Sequence, residues 1–559
     1  MKNCKKCAAE FEVTQEDRDF LKKLSPKIGG VVFDIPEPTL CPDCRRLKRL
    51  TWRNERTIYK RKCDGSGKDI ISTFAPDKPY KVYSTEYWFS DKWDGLDYGR
   101  DFDFSRPFFE QFEELMKEAP LLCGSLAGNH NSDYTNESGW NKNCYLVFEA
   151  DYNENCFYSN NIYTSRALFD VYGCSQSELC YDCLNCQKSY NLMFSINCNN
   201  CSDSYFLKNC IGCKNCFGCV NLKNKENYFL NEKCSKEEFE KKVSQVDLQT
   251  YDGIVAMKKS FLDFVKKYPH KYCNGVQNED SSGDYLWNTQ RCENCFNLEN
   301  AQDCKNCSDA RNVKNLLDVT AFGSENGAEF CYECQAVGAG SKNLCFCDQV
   351  WIGAYNVFYS KFCVNNCHDL FGCVGLKHQS YCILNKKYSK EEYEVLLAKI
   401  IEHMRKTGEW GEFFSSSISN YAYNESMAQA YHPLTKEEAV SAGYAWRDPD
   451  PKEYLKQTCV VPAKIADVPD SIVDEILACR ECGKNYKIVE EELKFYRRQG
   501  LPVPLKCPDC RNLERFKLKN PRVLWDRNCD KCGVQLRSTF EPQRPEKVYC
   551  EKCYLGEVY

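Results

Sequence analysis

Twelve cysteines near the two ends of this 559-residue chain stand in pairs whose spacing suits a metal. Toward the C-terminus, Cys479-Arg-Glu-Cys482 is followed after 24 residues by Cys507-Pro-Asp-Cys510. Cys529-Asp-Lys-Cys532 and Cys550-Glu-Lys-Cys553, 17 residues apart, form a second set. Cys4-Lys-Lys-Cys7 and Cys41-Pro-Asp-Cys44 repeat the first set at the other end. Two thiolates three residues apart on a tight turn can bite one face of a cation. Two such turns close a tetrahedron, and Zn²⁺ takes four soft ligands there with no position left open. The expected chemistry is structural metal binding, with about three zinc ions per chain.

A fourth set has decayed. Cys63 stands where Cys529 does, but Ser66, Ser84 and Tyr87 replace Cys532, Cys550 and Cys553. The surrounding text still matches: Ser72-Thr-Phe-Ala-Pro against Ser538-Thr-Phe-Glu-Pro, and Lys81-Val-Tyr83 against Lys547-Val-Tyr549. This unit should fold on its packing without metal, leaving Cys63 as a remnant.

Short elements must hold the knuckles. Residues 10–14 read as a strand and 15–24 as a helix with Thr14 as its N-cap; 484–489 and 490–499 are their counterparts, closed by Gly500. Each ribbon then runs into a basic stretch. Residues 45–62 carry nine Lys or Arg and one acid. Arg45, Arg49, Arg53 and Arg56 recur at helical spacing, and Arg511, Arg515, Lys519 and Arg522 keep the same register, with Tyr59 and Trp525 at matching places. A one-sided cationic helix can track phosphates and a nearby ring can stack a base, so RNA, DNA or a ribonucleoprotein is the expected partner. A solvated helix face and an acidic protein partner are the alternatives. Residues 85–120 reverse the sign, with ten acids, four bases and many aromatics. They read as a packed connector that could neutralise the basic helix, with Pro107 opening a helix to about residue 117.

Composition bounds the rest. A chain this long needs several domains. A net charge of −5 offers no global field for nucleic acid. No secretory pattern and no apolar run of membrane-spanning length is evident, so a cytoplasmic chain with reduced thiols and no membrane contact is expected. Its 41 cysteines are then metal ligands or core residues, and none of the six histidines pairs with a cysteine at metal spacing.

Residues 141–388 contain a duplication. Glu178-Leu-Cys-Tyr-Asp-Cys183 returns as Glu329-Phe-Cys-Tyr-Glu-Cys334, and Phe217-Gly-Cys-Val as Phe371-Gly-Cys-Val. In the first copy the cysteines share one phase of three, from Cys144 to Cys234, between short β-type segments and Asn-rich corners. That regular step predicts a β-solenoid in which Asn bonds along its own ladder and Cys fills a tight interior. The rival is an array of zinc sites. Against it, Cys216 faces Leu370 between the copies and Tyr228 faces Cys382, exchanges that packing accepts and a metal does not. Capping boxes at Ser235-Lys-Glu-Glu238 and Ser389-Lys-Glu-Glu392 start helices that cover the last coil of each copy; Thr435-Lys-Glu-Glu438 starts a third before the Asp448-Pro-Asp-Pro451 linker.

Cys479 to Arg511, with its Cys-x2-Cys-Gly, aromatic strand, helix and Pro-x-x-Cys-Pro-x-Cys-Arg, resembles the small "probable zinc-ribbon" domain of bacterial proteins. Cys4 to Arg45 resembles it with a longer loop and Ala8 in place of Gly. The resemblance implies zinc on Cys479, Cys482, Cys507 and Cys510 and on Cys4, Cys7, Cys41 and Cys44. Over nearly its full length, through Trp52-Arg-Asn-Glu-Arg, Asp77-Lys-Pro-Tyr-Lys-Val-Tyr, the Phe-Gly-Cys-Val repeats and Leu434-Thr-Lys-Glu-Glu, the chain is similar to cysteine-rich zinc-ribbon proteins of candidate-phyla bacteria. That resemblance implies no particular activity.

The expected molecule is mainly β: a ribbon over 1–50 with a basic helix to about 62, a metal-free ribbon at 63–90, an acidic connector at 91–140, solenoid copies with helices at 141–272 and 273–412, a linker at 413–470, and ribbons at 471–527 and 528–559. No catalytic constellation or small-molecule substrate is evident. The expected function is a non-enzymatic zinc-binding scaffold whose ribbons grip nucleic acid while a stiff solenoid holds them apart. A protein–protein scaffold and a zinc or thiol reservoir are the alternatives.

Overall fold

The computed structural model describes residues 1–351, 353–449 and 453–558, without the side chains of 321–326 and 337. It is mainly β: a duplicated, cysteine-rich solenoid with capping helices, flanked by small Cys4 ribbons at both ends. The N-terminal ribbon contributes helix α1 (Gln15–Leu24), started by a Thr14–Asp17 capping box, and α2 (Pro42–Leu50), which begins on the second knuckle with Pro at its first turn. Helix α3 (Phe108–Glu118) follows Pro107, as expected.

The solenoid winds by threes. From residue 137 onward almost every third residue has φ near +50°, and Asn, Asp and Gly crowd these positions because they tolerate the left-handed corner. The residue after each corner points inward. Val147, Cys156, Ile162, Cys174, Cys183, Leu192 and Cys210 are all fully buried. Parallel register advances by 12 residues, as in Tyr190 against Ser202 and Cys216 against Tyr228, so each coil has four three-residue sides. In the middle of the second copy the advance becomes 13, from Ala328 against Ser341 to Val357 against Leu370, with 12 before and after it, and this shifts the phase of three there. Carboxamides ladder along the corners: Asn185 Nδ2 donates to Asn197, Asn197 to Asn209 and Asn209 to Asn221.

Each stack ends the same way. An antiparallel turn (Glu232–Lys233, Lys386–Lys387) covers the last strand. Buried Asn385 accepts from Val374 N and donates to Val374 O, and Asn231 does the same at Val220. Helices α4 (Lys236–Ser244) and α5 (Tyr251–Val265) follow the first copy and α6 (Lys390–Thr407) the second; α4 and α6 carry the expected capping boxes. The Thr435 box also forms. The solenoid starts earlier than residue 141, with its first strand at Leu126–Ala127. Asp450 and Pro451 of the expected linker lie outside the described residues. The C-terminal ribbons add α7 (Glu490–Gln499), ended by Gly500 at φ +66°, and α8 (Pro508–Phe516), the counterpart of α2.

The two stacks lie side by side and run antiparallel. Tyr285 Oη donates to Asn197, Arg311 stacks on Tyr163, and Gln349 donates to Glu137: as numbers rise in one copy they fall in the other. The ribbons obey the same pseudo-twofold. Val82–Tyr83 pairs with Leu121–Leu122 at the head of copy one, and Val548–Tyr549 pairs with His270–Lys271 at the head of copy two. Trp88 packs on Gly375 at the tail of copy two, and Tyr554 Oη bonds Asn221 at the tail of copy one. Each ribbon pair therefore bridges both stacks. The picture of ribbons held apart by a spacer is corrected: the ribbons grip the solenoid itself.

Candidate metal centres

Three groups of four thiols converge: Cys4, Cys7, Cys41 and Cys44; Cys479, Cys482, Cys507 and Cys510; Cys529, Cys532, Cys550 and Cys553. Within each, all four sulfurs lie within 4.8 Å of one another, and these are the candidate metal groups among the described residues. The local fold makes the bite. Cys479 N donates to Lys484 O and Gly483 N to Cys479 O, closing a turn whose last residue sits at φ +73°. Gly533 does the same in the third group, and Ala8, at φ +61°, does so at the strain cost a Cβ brings there. The second pair in the first two groups opens α2 and α8. Sulfur–sulfur contacts of 3.7 Å (Cys7–Cys41) and 3.8 Å (Cys482–Cys507, Cys532–Cys550) cross between knuckles.

The electrostatics suit a cation. Burial pushes the Cys4 thiol up, but backbone N–H groups of Cys41, Cys7 and Lys6 outweigh it and bring it down to about 6. The same balance brings Cys479 to about 7 and Cys529 to about 6. The later thiols go the other way: burial pushes Cys507 up to about 11, and crowding by Cys532 pushes Cys553 up to about 12. One thiolate per group is thus ready, and a bound cation would draw the other three protons off.

The decayed set keeps the backbone without the ligands. Gly67 N donates to Cys63 O as Gly533 N does to Cys529 O. Cys63 is more than a remnant: its sulfur accepts Ser66 N at 3.4 Å and Ser84 N at 3.3 Å, the second in the place where Cys529 accepts Cys550 N.

The solenoid sulfurs run in rows. Cys183 Sγ–H donates to Tyr181 O at 3.4 Å and Leu192 O at 3.2 Å; Cys210, Cys295 and Cys373 make the same pair of bonds to carbonyls two residues back and nine ahead. Burial pushes Cys180 up to about 12 and Cys363 and Cys373 well above the ordinary thiol range. Hydrogen bonds from neighbouring thiols bring Cys292 down to about 4, and against burial they bring Cys307 down to about 5, but among the described residues no four of these sulfurs converge on one point, so the rows fill space.

The basic residues are the main correction. None of the eight forms an outward phosphate-tracking face. Helix α2 ends at Leu50 and α8 at Phe516, so Arg53, Arg56, Lys519 and Arg522 lie beyond them. Arg45, Arg49, Arg53, Arg511 and Arg515 are buried, and Arg56, Lys519 and Arg522 half-buried. Arg45 pairs with Asp318 at 2.8 Å and Arg49 with Glu333 at 2.9 Å. Arg53 bonds Glu55 at 2.6 Å; Arg56 bonds Asn160 and faces Asp509. On the other side Arg511 and Arg515 share Asp170, at 2.7 and 3.0 Å, and Arg522 clamps Asp309. Lys519 rests on the Tyr172 ring. The helical register holds for Arg45, Arg49, Arg511 and Arg515, and these face acids hundreds of residues away. The acidic connector is not their counter-charge; its Phe108, Phe112 and Trp88 serve the core. The receiving acids were missed. They sit at left-handed solenoid corners (Asp170, Asp182, Asp309, Asp318, Glu333), and Asp170 and Asp182, one coil apart on one edge, were the available signal.

A cleft of about 950 Å³ opens between the two ribbon systems over copy one, lined by Arg56, Tyr59, Tyr145, Tyr158, Asp509 and Phe516 among others. Among the described residues no helix is long and apolar enough to cross a membrane.

No family model and no curated protein matches this chain. Among solved structures, one described as "Crystal structure of putative acetyltransferase from Desulfovibrio desulfuricans G20" is similar over 41% of this chain and 64% of that chain, at 10% identity and a TM-score of 0.10. A likeness at that score carries no argument about fold or chemistry.

Proposed function

We propose that this chain is a non-enzymatic zinc-binding scaffold whose partner is a protein. The observation that carries the reading is closure: each thiol group offers four sulfurs within 4.8 Å of one another and so leaves a metal no position for substrate or water. All-thiolate tetrahedra favour zinc among common cations. The ions of the first two groups would each fix a knuckle whose following helix carries arginines that lock into solenoid acids, so metal there holds ribbon and solenoid as one platform. The cleft between the ribbon systems, with its mixed charge and many tyrosines, suits a polypeptide more than a phosphate backbone. The nucleic-acid reading loses its carriers, because the eight cations named for it face protein.

Metal analysis of anaerobically purified protein tests the first half: about three zinc per chain is expected, whereas eight or more would favour a zinc or thiol reservoir. Affinity capture from a cytoplasmic extract tests the second. Partners that survive nuclease and are lost on Leu513→Arg, an exposed position of the same cleft, support the reading; capture abolished by nuclease overturns it.

A further inference from the structure

The duplication covers one ribbon helix and leaves its twin bare. Leu47 and Leu50 of α2 have Leu513 and Phe516 of α8 as their counterparts. In the N-terminal half a segment that follows α6 packs over the pair: Tyr423, Met427, Ala428, Ala439 and Tyr444 form one cluster with Leu50, and Leu47 lies against it. At its centre is the short helix Met427–Tyr431, where Met427 N donates to Arg53 O at 2.7 Å. Glu425, just before that helix, pairs with Lys78 at 2.5 Å. Copy one is followed by no such segment, because the chain passes from α5 straight to His270 at the head of copy two. Leu50 is accordingly 2% exposed and Leu513 53%. Phe516 is half-buried, meeting the Tyr431 ring at 5.2 Å and the Tyr172 ring at 6.0 Å.

Leu513 and Phe516 line the cleft of about 950 Å³. Asn512 lines it too: it is 8% exposed, and its carboxamide makes no hydrogen bond among the described residues, whereas its counterpart Arg46 is paired with Asp43. The acids of the lining are already matched, Glu55 by Arg53, Glu425 by Lys78, Asp448 by Lys436 and Asp509 by Arg56. Lys484 and Lys517 line the cleft with no ion-pair partner among the described residues; the acid that Lys517 influences, Glu481, is held by Lys506 at 2.9 Å. Apolar side chains at helical spacing beside unpaired ammonium groups fit the apolar face of a short helix that carries an acid at its end. We propose, on the protein-partner reading above, that the α8 wall of the cleft binds a short amphipathic helix of the partner. That helix presents Met, Ala or Tyr on its apolar face with an acid beside it, and covers α8 as this chain's own residues 423–444 cover α2.

The test uses a fluorescent synthetic peptide with the sequence of residues 419–446 and the full-length, metal-loaded protein, read by anisotropy. One saturable site per chain is expected. Binding should be at least about tenfold weaker in Leu513→Arg, and with a peptide carrying Met427→Glu, but unchanged in Val395→Arg, an exposed position on α6. Zinc content is the folding control. No saturable binding, or equal affinity in Leu513→Arg, overturns the proposal. Binding that Leu47→Arg abolishes and Leu513→Arg spares also overturns it, since the peptide would then be displacing the chain's own segment from α2. A dimer that Leu513→Arg dissolves does the same, since a second copy would then fill the cleft. Capture from an extract that depends on Leu513 while the peptide fails to bind would sink this inference and leave the protein-partner reading standing.

Discussion

Replacing Arg49 with Met tests whether buried ion pairs hold the ribbons to the solenoid. The Arg49 side chain is 0% exposed and Glu333 only 4%. It also lies 3.7 Å from Asp318, itself 0% exposed. The variant leaves two buried carboxylates to share Arg45. Burial already pushes the Glu333 carboxyl above its ordinary range, with Arg49 the largest opposing influence, so Arg49→Met should raise it further. Removing one partner of such a pair costs about 3–5 kcal/mol, whereas replacing both with apolar groups is often near neutral. Arg49→Met should therefore weaken docking of the N-terminal ribbon by about 3–5 kcal/mol. Arg49→Met with Glu333→Leu should recover most of that, giving a coupling energy of at least about 2 kcal/mol. Hydrogen exchange of the α2 amides, with zinc saturating, reads the docking equilibrium directly, and chelator access to the Cys4–Cys44 metal should rise in parallel. A loss under about 1 kcal/mol, or additive single effects, would refute the idea that this pair fastens the two bodies.

Other outcomes follow from the same geometry. Cys198→Ser with Cys210→Ser should leave the zinc count unchanged and cost under about 2 kcal/mol, since Ser165, Ser177 and Ser189 already occupy interior positions of the same stack; a falling zinc count by elemental analysis would show that the rows ligate. Cys482→Ser should remove one zinc and expose Tyr158, which now bonds Glu492 of α7, to solvent as read by tyrosine fluorescence. Asn385→Ala, which loses bonds to Val374 and Gly95 at a fully buried cap, should lower urea stability by about 1–3 kcal/mol and speed exchange in Ser380–Ile383. His270, buried where the last ribbon joins copy two, is pulled by desolvation, with Lys208 adding repulsion, from 6.5 to about 3. A depressed histidine binds fewer protons folded than unfolded, so its contribution is present above pH 6.5 and lost as pH falls toward 3. Wild type relative to His270→Phe should lose about 1.4 kcal/mol per pH unit below 6.5, and parallel stability curves would count against it.

The sequence by itself determined whatever is local. Cys-x2-Cys turns, the Thr14 N-cap, the Ser235 and Ser389 capping boxes, the φ-positive stop at Gly500 and the one-in-three phase of the first solenoid all follow from contacts within one turn or one coil, so residue spacing reports them. The duplication was readable for the same reason, since stacked coils repeat their text. Tertiary structure alone decided where the charges go. Arg45 meets Asp318 and Arg522 meets Asp309 across more than two hundred residues, and a cationic stripe reads identically whether it faces water or a buried carboxylate. The antiparallel pairing of the stacks, and the bridging of both by each ribbon pair, likewise rest on surface complementarity that no spacing rule records.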